Sequence, residues 1–159
     1  MSKLDMDRFR SRNNPRLRGY DYSTANHYFV TICTYEKQCL FGEPGKLNQL
    51  GKIAEQCFLE IELHHSNVQV DKYVVMPNHI HGIIDIQCGR VNLSTMLGLY
   101  KSAVTKEIHK LYSDVKIWQT SFHDHIIRNE TDYQRIWTYI EGNPAKWTED
   151  CFYVTQPER

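Results

Sequence analysis

No apolar run in this chain approaches the roughly 20 residues needed to cross a bilayer. The first 18 residues are polar and basic, with no apolar segment of the kind a secretory signal carries. A membrane span is therefore excluded, and a cytoplasmic protein is the expectation. Cysteine is sparse and unpatterned: Cys33, Cys39, Cys57, Cys88 and Cys151 are odd in number and contain no C-x-x-C pair. Neither a disulfide framework nor a zinc knuckle is expected from that spacing, and reduced thiols in a core are. Net charge is also missing, since 19 Lys and Arg balance 19 Asp and Glu. That balance argues against a protein that coats nucleic acid indiscriminately. Internal repeats and low-complexity stretches are absent as well.

What is present is one domain's worth of chain, 159 residues with 41% hydrophobic and 24% charged residues. It divides into a basic N-terminal arm over residues 1–22 and a core over residues 23–150. Lys3, Arg8, Arg10, Arg12, Arg16 and Arg18 crowd the arm against Asp5 and Asp7. Such an arm suits phosphate contact, Arg16 and Arg18 being the nearest to the core; a solvated tail is the alternative.

Within the core, β-branched and aromatic residues mark a strand over residues 27–34. Apolar spacing of 3, 4 and 7 marks a helix over residues 47–64. Two more strands follow, residues 68–76 and 79–86, joined at Pro77-Asn78 by either a tight hairpin or a bulge. A second helix is expected over residues 93–111, with Ser94 as its N-cap and Leu111 on its apolar face. Residues 117–119 and 121–127 form a fourth extended segment. A third helix starts at Asn129 and stops at Gly142-Asn143-Pro144. The order β-α-β-β-α-β predicts an α+β fold, a ferredoxin-like split βαβ antiparallel sheet. Two helices cover one face, and the C-terminal helix is the natural element to cross the other.

His79-Ile80-His81 is the most telling motif. Residues two apart on a strand share a face, so both imidazoles look to one side and Ile80 to the other. Paired buried imidazoles are costly unless used, and a divalent metal is their commonest user. A purely hydrogen-bonded pair is the alternative. His123-Asp124-His125 has the same spacing and competes for that role. Lys101 and Lys106 lie about 140° apart on a helix, so they form no single pocket. Lys101 and Arg128 could meet a DNA backbone or only water. Trp118 and Tyr20 could stack on unpaired bases or sit in the core.

In this order the motifs resemble the REP-associated tyrosine transposases, a branch of the single-tyrosine HUH transposases of insertion sequences. The resemblance runs from about Arg16 to Asp150. It rests on the block from Val74 to Gly82, the segment from Lys101 to Lys106, Ile117-Trp118-Gln119, the stretch from Asp124 to Arg128, and Tyr139-Ile140-Glu141-Gly142-Asn143-Pro144. It implies that His79 and His81 hold a divalent metal against the scissile phosphate and that Tyr139, on the C-terminal helix, is the nucleophile. Asn143 would complete the metal site, and a spacing of four puts it on the same helix face as Tyr139. Two imidazoles and an amide oxygen ordinarily suit zinc or a late transition metal. The resemblance implies Mg2+ or Mn2+ instead. It also implies single-stranded or hairpin DNA as substrate, cut and joined through a 5′-phosphotyrosine, with Arg16, Arg18, Lys101, Trp118, His125 and Arg128 as candidate DNA contacts. Monomer and homodimer both remain open. Two rival functions stand beside this one: a non-catalytic nucleic-acid-binding module on the same sheet, and a phosphoesterase that uses metal-activated water.

Overall fold

The computed structural model describes residues 19–22, 24–87 and 91–155. Arg16 and Arg18 lie outside the described residues, as do Cys88, Gly89 and Arg90. The chain runs β1 (Asn26–Cys33), a small hairpin of β2 (Gly42–Glu43) and β3 (Lys46–Leu47), α1 (Gln49–Leu59) and α2 (Ile61–His64). It continues through β4 (Val68–Met76), β5 (His79–Ile86), α3 (Leu93–His109), β6 (His123–Ile127) and α4 (Glu130–Gly142). Short 3-10 segments lie at Tyr35–Lys37 and Pro144–Glu149.

The main sheet has the order β4-β5-β1-β6, and every neighbouring pair is antiparallel. This is the ferredoxin-like split βαβ arrangement. Alternation along the strands sorts their side chains into two layers. Tyr28, Val30, Ile32, Ile80 and Ile84 face α1 and α3, whose Phe58, Met96, Leu97, Tyr100 and Val104 complete the larger core. Phe29, Ile83 and Ile127 face the opposite way and are covered by Ile136 and Ile140 of α4. The helix that ends the chain's periodic sequence therefore crosses the second face of the sheet, as expected.

Three local features set the site's position. Pro77-Asn78 forms a tight turn, because Met76 and His79 on either side of it are register partners. A bulge between Val70 and Lys72 reverses the facing of β4, so that Lys72, Val74 and Met76 share a side with Ile83, His81 and His79. Gly82 lets the Phe58 ring lie directly against β5 behind the histidines; a Cβ there would meet Phe58 Cζ at 2.6 Å.

Some boundaries depart from expectation. The first long helix starts at Gln49 rather than residue 47, because Lys46–Leu47 pair with Gly42–Glu43 and Asn48 caps the helix by accepting from Gly51 N. The cap of α3 is Asn92, whose side chain accepts from the amides of Ser94 and Thr95, so Ser94 is inside the helix. That helix ends at His109, leaving Leu111 beyond it and 45% exposed. Trp118 joins no strand and makes a single bridge to Thr34. Among the described residues no helix is long and apolar enough to cross a membrane.

Candidate active site

His79 and His81 lie on β5 next to the central strand, and both are 0% exposed. Each is oriented by a neighbour on its Nδ1. His81 Nδ1 lies 2.8 Å from Thr31 Oγ1, its register partner on β1. His79 Nδ1 lies 2.8 Å from Asn78 Oδ1. The Asn78 amide nitrogen donates to the carbonyls of Phe152 (2.8 Å) and Lys37 (3.2 Å), so its oxygen must be the acceptor for His79. A neutral His79 then carries its proton on Nδ1 and presents the lone pair of Nε2. Burial, with a smaller push from His123, lowers the His81 pKa to about 3, so this imidazole is neutral. Neutral rings with Nδ1 tied back are the form in which histidine ligates metals.

Helix α4 brings the phenol to this pair. The Tyr139 hydroxyl lies 3.4 Å from His81 Nε2, and its ring meets His81 edge-on at a centroid distance of 5.3 Å. The helix is held in place by Asn129, whose side chain caps it at Asp132 N, and by buried Ile136 and Ile140. Tyr133, two turns earlier, donates its hydroxyl to Asp71 at 2.8 Å and packs away from the histidines. Asn143, the C-cap of α4, is 3% exposed. Its Nδ2 donates to Asp150 Oδ2 at 3.0 Å, and its Oδ1 is buried without a hydrogen-bond partner among the described residues.

Asp150 was not anticipated from the sequence. It follows the 3-10 turn after Pro144 and folds back over the sheet, with a side chain only 1% exposed. Its Oδ1 accepts from Phe152 N at 2.7 Å, while its Oδ2 lies 3.8 Å from His79 Nε2. Phe152 stacks on His79 at 4.5 Å between centroids and closes that side of the site. No periodicity marks a single aspartate beyond a helix-ending proline, so nothing short of the fold itself singles it out. Thr31 and Asn78 were missed for the same reason: their role comes from strand register and a turn.

The remaining candidates are dispersed. His123 and His125 share the face of His81, since Thr31 and Phe29 are their register partners on β1. His125 Nε2 is 2.6 Å from Asp132 Oδ2, and Asp132 also accepts from Arg135 at 3.0 Å. Arg128 is exposed just after β6. Lys101 is half-buried and its ammonium points at the carbonyls of Gln119, Thr120 and Ser121, holding that loop. Burial lowers its pKa. Trp118 is 8% exposed, with its ring against Phe41 and Tyr100 and its indole N–H given to the Lys101 carbonyl at 3.1 Å. Its surroundings are those of a core residue, and a stacking platform would need an open ring face. Tyr20 is likewise engaged, hydroxyl to hydroxyl with Tyr28 at 3.0 Å.

The residues present fit a divalent metal. One donor atom each from His79, His81 and Asp150 lies within 4.8 Å of the others, the single such group of three or more among the described residues. The unsatisfied Asn143 Oδ1 adds a fourth oxygen to the same surroundings. A buried polar atom left in that condition is costly unless a ligand meets it.

A buried His-x-His pair on a ferredoxin-like sheet, with a tyrosine from the crossing helix beside it, defines the tyrosine transposase class. The chain belongs to the IS200-like transposase family, whose profile matches residues 21–143. It is 35% identical to an uncharacterised protein of Haemophilus influenzae over 168 aligned positions, covering 90% of this chain and 93% of that protein. It is 32% identical to a REP-associated tyrosine transposase of Escherichia coli K12 over 82 positions, 49% of this chain and 45% of that one. Its fold is similar to a REP-associated tyrosine transposase solved bound to a REP hairpin, with a TM-score of 0.66 at 23% identity, over 82% of this chain and 73% of that one.

Proposed function

We propose that this protein cuts and rejoins single-stranded DNA at hairpin-forming elements, with Tyr139 as the nucleophile and a divalent ion held by His79, His81 and the oxygens beside them. The observation that carries this reading is the placement of the Tyr139 hydroxyl 3.4 Å from His81 Nε2 within one chain. Nucleophile and imidazoles need no second subunit to meet, which favours a working monomer. With DNA as its substrate, the protein would act in the cytoplasm.

A free tyrosine, with a pKa near 10, is a weak nucleophile at neutral pH. When bound, Mg2+ or Mn2+ would polarise the phosphate oxygens and offset the charge that develops on them. The protein's own contribution is orientation. Thr31 and Asn78 fix the two rings, and α4 holds the phenol at their edge. Attack by the Tyr139 oxygen forms a phosphotyrosine bond to the 5′ side of the break. The 3′ oxygen leaves and takes up a proton, while the phenol gives one up. The same 3′ hydroxyl can attack the phosphotyrosine later, so joining needs no external energy source.

The test is incubation of the full chain with end-labelled hairpin-flanked single-stranded DNA and Mn2+. The wild type is expected to give an adduct that survives denaturing electrophoresis. Tyr139→Phe should lose adduct and cleavage while still retarding the DNA in a native gel. Cleavage that persists in Tyr139→Phe would instead identify activated water as the attacking group. Binding without cleavage by the wild type would indicate a recognition module.

A further inference from the structure

We propose that Asp150 is the anionic ligand of the metal held by His79 and His81, and that the Asn143 amide nitrogen aims it. This rests on the metal-dependent reading above and adds to it a residue beyond the segment matched by the family profile, which stops at position 143.

Four observations converge on that carboxylate. It is 1% exposed, and an anion taken out of water at this depth requires compensating positive charge. Its two oxygens have separate tasks. Oδ1 accepts the Phe152 amide and shapes the turn, while Oδ2 is turned toward His79 and accepts from Asn143 Nδ2. The 3.8 Å between Oδ2 and His79 Nε2 is too long for a hydrogen bond, and two atoms that both carry lone pairs face each other across it. That separation is close to the roughly 3–3.5 Å between two donors bound at about 2.1 Å to one ion. Finally, the Asn143 amide has its nitrogen committed to Asp150 and its oxygen buried and unmet, so both ends point to the same centre.

The carboxylate also accounts for the kind of metal. Two neutral imidazoles and an amide make a site suited to zinc or nickel, whereas Mg2+ and Mn2+ prefer hard anionic oxygen. Asp150 supplies that oxygen. Its contribution should therefore be larger for Mn2+ than for Zn2+, a difference that a merely structural role in the turn would not produce.

The experiment is calorimetric titration of the metal-stripped full-length protein with Mn2+ and with Zn2+, comparing the wild type with Asp150→Asn. The asparagine keeps the shape and the acceptor for Phe152 N but removes the charge. One Mn2+ per wild-type chain is expected, with Mn2+ affinity falling at least tenfold in Asp150→Asn and Zn2+ affinity falling less. Unchanged Mn2+ affinity, or equal losses for both metals, would overturn the assignment and leave the His79/His81 site standing. If the wild type takes up no Mn2+, the metal reading itself fails and this inference with it. A measurement on the wild type covers the case of a variant that does not fold. In Mn2+-soaked crystals the anomalous peak should lie within bonding distance of Asp150 and both histidines. An ion on the histidines alone, with Asp150 outside its coordination sphere, overturns the proposal.

Discussion

At the scale of single residues, the site depends on groups that never touch the substrate. Thr31 is 3% exposed and its hydroxyl is the Nδ1 partner of His81. Replacing it by Val keeps the volume and removes the hydrogen bond, leaving a buried ring nitrogen unmet. Loss of such a supporting bond typically weakens metal binding about 10–100-fold, and an unsatisfied buried polar group costs about 1–3 kcal/mol. Thr31→Val is thus expected to lower Mn2+ affinity about tenfold by calorimetry and to shift urea unfolding to lower denaturant. If both measurements match the wild type, Thr31 is only a strand residue. The chemistry-bearing residues were legible in the sequence because their spacing is local: His79 and His81 two apart on a strand, Tyr139 and Asn143 four apart on a helix. Thr31 and Asp150 were not, because they reach the histidines from 50 and 71 positions away along the chain, respectively. Register and a folded-back turn bring them there, and neither leaves a periodic trace.

At the scale of elements, periodicity located the body of each helix better than its ends. Strands β4 and β5 run over the expected residues, since β-branched runs and a Pro-Asn turn delimit both. The helix α3 shows why ends are harder. Both Asn92 and Ser94 are capping residue types, and only the backbone shows which one is extended. Asn92 has ψ 126° and its side chain accepts from two amides of the first turn, whereas Ser94 is already helical. Substituting a helix N-cap by Ala costs about 1 kcal/mol. Asn92→Ala is therefore expected to lower stability by about that amount in chemical denaturation, and Ser94→Ala to change it by less than about 0.5 kcal/mol. The opposite ranking would return the cap to Ser94. Function is affected only indirectly, since α3 lies behind the sheet and Lys101, midway along it, holds the loop that precedes β6.

At the scale of the whole molecule, neutrality hides a division of charge. Six of the 19 basic residues and two of the 19 acidic ones lie within the first 18 positions, so the remaining 141 residues carry 13 basic against 17 acidic groups. The folded domain is net negative, an unfavourable field for a polyanion, and the arm opposes it with four net positive charges. Affinity for single-stranded DNA should then rest on the arm and on local groups such as Arg128. Each neutralised phosphate adds about 0.7 to the steepness with which log affinity falls against log salt. Replacing Arg8, Arg10, Arg12, Arg16 and Arg18 together by Gln is expected to weaken binding at low salt. The same replacement should flatten the salt slope by about 0.7 for every phosphate that the arm no longer neutralises. The Tyr139 adduct should still form at saturating DNA, because the catalytic geometry lies entirely within the sheet, α4 and the turn that carries Asp150. A slope identical to that of the wild type would show that the arm neutralises no phosphate and that the positive field guiding the strand comes from the folded domain. Arg128 and Arg135, flanking the start of α4 on the His123 and His125 side of the site, would then be the first groups to replace.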